Sequence, residues 1–223
     1  MACSPSDNGQ AADGQAESGV AAVAPGKPMQ ATADEIAAEV ERANQFFERT
    51  FMDGVMRSPT FQAYLGIKKD QDKWNDISDE NAKRELEITR RELKELRETI
   101  DFNKLDEPTK LSYRLYVERA EQDIENFQYR LHNYPINQMY GAQSRLPSFL
   151  INIHRIDDET DARGYIARLN GIDEQITQVI ENLKLRESKG IVAPKFVFPY
   201  AISDTKNVLS GKPFVSDALE DSA

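Results

Sequence analysis

The chain has 223 residues, 39% hydrophobic and 30% charged, with 38 Asp and Glu against 28 Lys and Arg for a net charge of −10. That length accommodates one domain with a sizeable core. The negative balance gives nucleic-acid phosphates no general attraction, no segment is long and apolar enough to cross a bilayer as a helix, and one cysteine with two histidines excludes both an internal disulfide and a three-histidine metal site.

Residues 1–31 differ in kind from the rest. All nineteen Phe, Trp and Tyr residues lie after Gln45, and the opening Ala, Gly, Ser, Gln and Pro cannot bury enough apolar area to offset the entropy of ordering them. This segment is expected to be a disordered tether. The domain then runs over 32–215 and ends in an acidic tail, 216–223.

The first helix begins at Thr32, with Glu35 at the spacing of a capping box. Ile36, Val40, Ala43, Phe47 and Phe51 give it one apolar face to about Met56. Ser58-Pro59 opens a short helix closed by Gly66, and a polar connection anchored by Trp74 follows. Ser78 caps a long helix to about Ile100, whose seam is Ala82, Leu86, Thr89, Leu93, Leu96 and Ile100. Asp106 and Pro108 open its partner, with Tyr113, Tyr116, Ala120, Ile124, Phe127 and Leu131 on the buried stripe. Tyr134-Pro135 ends that helix, and an irregular stretch follows. Helical periodicity returns from Asp157, passes a kink at Gly171 and stops at Gly190; Ala201–Leu209 forms a last short helix. No run alternates with period two, so the fold is read as all-α: a bundle of antiparallel helices.

Residues equipped for chemistry are few. His132 and His154 lie 22 apart, in H-N-Y-P-I and H-R-I-D-D, without the H-E-x-x-H geometry of a zinc helix. Each is assigned a structural role, helix-terminal or hydrogen-bonded. The carboxylates of 157–159 and 217–221 sit in polar runs suited to solvated helix starts and tails. No phosphate-binding glycine loop or nucleophile elbow occurs, so no catalytic or metal-ligating residue is assigned. The most informative stretch is 135–147, where Gln138, Tyr140, Gly141 and Arg145 are candidate cleft-lining residues. The same residues suit a brace between two helix pairs, and both readings stand.

Cys3, followed by Ser, Pro, Ser and the long tether, resembles the start of a mature bacterial lipoprotein, in which the thiol carries lipid. No signal peptide precedes it in this chain, where only Met1-Ala2 stand before the cysteine. Further on, P-I-N-Q with Gly141, Leu146-Pro147, Tyr165 with Arg168-Leu169, and Gly190-Ile191-Val192 with Pro194 form an ordered series. The series resembles a bacterial family of uncharacterised, often lipid-anchored proteins, over about residues 34–210.

Complete members of that family look like zinc metallopeptidases of the gluzincin type. The resemblance implies that they carry H-E-x-x-H and a glutamate ligand in a C-terminal portion that has no counterpart here. By that likeness the chain is the truncated, non-catalytic N-terminal region of such a protein. It would form one wall of the substrate cleft against the missing catalytic portion, with zinc belonging to the complete protein. The place implied is the cell envelope, on the periplasmic side of a bacterial membrane, held only by a lipid on Cys3. The alternative is a self-sufficient helical module that binds a peptide or partner protein. A truncated region is expected to expose a large apolar face; a self-sufficient module is expected to expose little.

Overall fold

A computed structural model of the protein describes residues 31–210. The expected tether, with Cys3, and the acidic tail at 216–223 lie outside the described residues, save Ala31 at the tether's end. Among the described residues the fold is all-α, without a strand.

Helix α1 spans Ala33–Met56, and its capping box forms as the sequence requires: Glu35 N–H donates to Thr32 Oγ1 while Thr32 N–H donates to the Glu35 carboxylate. Helix α2 is Pro59–Tyr64, capped by Ser58. Helices α3 (Asp79–Thr99) and α4 (Glu107–Asn126) are joined by residues 100–106 and pack on each other as an antiparallel hairpin, with α1 laid against both. Their shared core is Ala43, Phe46, Leu96, Ile100 and Leu105. Burying each larger side chain there contributes about 1.5–3 kcal/mol.

The inward face of α1 is rotated from the expected one. Phe46 is buried and Phe51 is half exposed, because Thr50 turns its hydroxyl to the Phe46 carbonyl and takes the core position itself. The α4 stripe is only partly buried: Ala120 is enclosed, while Tyr113 and Tyr116 flank the core.

Helices α5 (Ala142–Asn152), α6 (Glu159–Asn170), α7 (Ile172–Ser188) and α8 (Val197–Leu209) complete the described chain. Gly171 separates two helices rather than bending one. Its N–H donates to Ala167 and Arg168 carbonyls at the end of α6, and its carbonyl accepts from Gln175 at the start of α7. Trp74 packs against Gly171, with its Cδ1 3.2 Å from where a Cβ would stand. The stretch expected to be irregular contains α5, with Pro147 inside it. The proline falls in the second turn, where it removes one ladder bond near an already under-bonded helix start. Helix α5 packs on α7 and α8, and α6 on α7.

Candidate functional site

The turn leading into α5 is built by one asparagine. Asn137 Oδ1 accepts from the N–H groups of Met139 (2.8 Å) and Tyr140 (2.7 Å), and Asn137 Nδ2 donates to the Tyr134 carbonyl. Such side-chain mimicry of a backbone turn is why Asn is favoured there. Gln143 then folds back and donates to the Asn137 carbonyl at 2.7 Å. A Cβ at position 141 would stand 1.9 Å from Gln143 Oε1 and 2.7 Å from the Asn137 oxygen, so the close approach requires Gly141. Gln143 Oε1 is buried without a hydrogen-bond partner among the described residues.

The four candidate residues have different places. Tyr140, 75% exposed, and Arg145 line one cleft. Gly141 is buried and sets the turn; Gln138 is exposed and lines no cleft on this face. The cleft has two adjoining lobes that share Ile77, Arg145 and Val179. The polar lobe, about 260 Å³, holds Arg130, Arg186, Asp79 and Asn182. The apolar lobe, about 300 Å³, is walled by Tyr64, Trp74 and Phe149, the last two with ring centroids 5.2 Å apart.

Charge in the polar lobe is unevenly neutralised. Asp79 accepts from Arg130 Nε at 2.7 Å and pairs with Lys83 at 2.8 Å; the Arg130 guanidinium beside it holds its carboxyl down to about 2. Arg186 is buried and donates to the Asn133 and Asn182 carbonyl and side-chain oxygens and to the Arg130 carbonyl. Burial pushes its pKa below the usual arginine value. No carboxylate pairs with it among the described residues, and Arg145 has there neither ion-pair nor hydrogen-bond partner for its side chain.

A larger groove, about 650 Å³, lies between α7 and α8. Ile180, Leu183, Val197, Phe198, Ala201 and Ile202 give it an apolar lining. Val197 and Ala201 pack inward, while Phe198 (47% exposed) and Ile202 (53% exposed) face the opening. The pattern around them makes α8 apolar on more than its buried side.

The buried polar cluster under α6 was not foreseen from the sequence. Its inward face is Asp161, Gly164 and Arg168, whereas Ile166 and Leu169 point outward. Arg168, 0% exposed, donates to the Lys73 and Pro59 carbonyls and to His154 Nδ1, and its guanidinium lies 4.9 Å from the Phe149 ring centroid. His154 Nε2 in turn donates to the Asp161 carbonyl at 3.0 Å, which fixes the neutral tautomer. Desolvation, with Arg168 beside it, pushes the His154 pKa down. Asp161 is held ionised by Lys68 and Gln71, its carboxyl lying well below the usual range. A clue lay in the Arg168-Leu169 pair, which belongs to the ordered series although nothing in the periodicity marks Arg168 as interior.

His132 is exposed and packs edge-on to Tyr129, far in sequence from this cluster. Among the described residues no three His, Cys, Asp or Glu side chains are grouped to hold a metal ion, and no helix is long and apolar enough to cross a membrane. The model of a family described as a bacterial protein of unknown function (DUF885) matches residues 59–223. No curated protein and no solved structure matches the chain.

Proposed function

The chain belongs to the bacterial family of unknown function DUF885, and from that membership we propose that its helices are the non-catalytic wall of a metallopeptidase-like envelope lipoprotein. They cover one side of a substrate cleft, and a separate zinc-bearing portion supplies the chemistry. The observation that carries the reading is the α7–α8 groove. An apolar surface of this extent, open to solvent at Phe198 and Ile202, is the kind that further protein covers. The ordered series from Pro135 to Pro194, which resembles the N-terminal region of gluzincin-like proteins, supports the identity of that further protein.

In the same proposal Cys3 carries the lipid and holds the protein on the periplasmic side of a bacterial membrane. The second reading, a self-sufficient module for a peptide or partner protein, is favoured by the cleft around Arg145.

A peptidase assay with added zinc tests the proposal. The chain alone is expected to cleave nothing. Mixed with the H-E-x-x-H-bearing portion of a longer family member, it is expected to raise that portion's peptide turnover at least ten-fold. Zinc-dependent cleavage by this chain alone contradicts the proposal, as does full activity of the other portion without it.

A further inference from the structure

We propose that the two-lobed cleft around Arg145 binds a carboxylate carrying an aromatic group, the anion on Arg145 and the ring in the lobe of Tyr64, Trp74 and Phe149. The site is complete within these helices and does not depend on the metallopeptidase reading.

The polar lobe is a positive spot on a chain of net charge −10. Three arginines line the cleft against one carboxylate, and that carboxylate is engaged by Arg130 and Lys83. The donors of Arg186 are occupied by neutral oxygens, so its charge contributes field without competing for a ligand. Arg145 is the complementary case: its side chain is exposed, and its planar fork has no partner among the described residues. Such a fork matches a carboxylate with two parallel hydrogen bonds.

The apolar lobe begins one helical turn away. Arg145 and Phe149 are four apart on α5 and therefore share a face. Phe149 is flanked by Tyr64 and Trp74, with centroids at 5.9 Å and 5.2 Å. The indole nitrogen of Trp74 is held by the Arg168 carbonyl at 2.8 Å, which fixes the wall before any ligand arrives. An apolar pocket with one convergent charged donor is the usual composition of a small-molecule site. The spacing suits an acid whose ring and carboxylate are a few bonds apart. A free aryl acid and the C-terminal residue of a peptide share this chemistry.

Calorimetric titration of the full chain tests the site, with N-acetyl-phenylalaninate as the probe. Binding is expected for the acid, roughly ten-fold or more weaker binding for its amide, and weaker binding for N-acetylglycinate and inorganic phosphate. Arg145→Gln is expected to lose the acid by a similar factor, with Arg145→Lys retaining part of it. Because Arg145 makes no contact that the fold uses, circular dichroism should stay unchanged. Tyr64→Ala should weaken the acid and leave N-acetylglycinate unaffected. Tighter binding of a longer peptide ending in a free Phe carboxylate assigns the site to a chain terminus, and equal binding assigns it to free acids; both support it. No measurable binding, equal binding of acid and amide, phosphate matching the acid, or an unaffected Arg145→Gln overturns it.

Discussion

Arg168, with no exposed surface, is the residue on which the second half of the domain converges. Its guanidinium ties the start of α2, the 65–78 connection, the end of α5 and its own helix through carbonyls and the His154 ring. A buried cation without a paired carboxylate is costly unless its donors are met, and here each contact is a fixed neutral acceptor or a ring face. This arrangement makes His154 a pH-sensitive element of stability. Its folded pKa lies below the unfolded value of about 6.5. The unfolded chain therefore takes the proton first, so stability is full above about pH 6.5 and falls as pH drops through the folded value. Thermal unfolding between pH 7.5 and 5 should show the wild type losing Tm more steeply than His154→Gln, whose amide keeps both hydrogen bonds and does not titrate. Each kcal/mol of the difference corresponds to about 2–4 °C. Parallel slopes would exclude His154 as the cause. The residue scale was the least legible in the sequence: the apolar residues Ile166 and Leu169 of α6 stay exposed, while the fold buries Asp161, Gly164 and Arg168. Period reveals which face is apolar, and a helix that turns a hydrogen-bonded polar face inward defeats it.

At the scale of elements the local signals were strong. The capping box at Thr32, the caps at Ser58, Ser78 and Asp106 and the stop at Gly190 all lie where turn and cap chemistry put them. Helix α5 was hidden because Pro147 and the uncapped Gly141 start mimic a loop. Helix α8 was read from Ala201, four residues late, because Pro194 and Pro199 obscure its start; Pro199 falls at the third helical position, where the missing N–H costs nothing. Its outward apolar residues make a prediction of their own. Replacing Phe198 and Ile202 together by Ser should cut the binding of an environment-sensitive apolar dye several-fold, with unchanged helicity, because both face the groove opening rather than the core. Unchanged dye binding would place the chain's exposed apolar surface elsewhere.

For the whole molecule, composition and periodicity were enough for the all-α class, and the ordered series from Pro135 to Pro194 was enough for a bacterial family of uncharacterised proteins, though not for what that family does. The candidate site was legible in outline only. Tyr140 and Arg145 meet in one cleft, and Phe149 stands one turn beyond Arg145 on the same helix, but Arg130, Arg186 and Trp74 come from three other parts of the chain, and one sequence without tertiary contacts cannot bring them together. The two proposals rest on separate surfaces: the small-ligand proposal on the aromatic and cationic cleft, and the protein-partner proposal on the α7–α8 groove.

Amide hydrogen exchange across α7 and α8, with and without the zinc-bearing portion that the proposed function pairs with this chain, is the decisive measurement. New protection is expected over residues 180–202, lost on the Phe198 and Ile202 double substitution, while α3 and α4 exchange as before. Association that leaves 180–202 unprotected, or protects the α3–α4 hairpin instead, would contradict the proposed function.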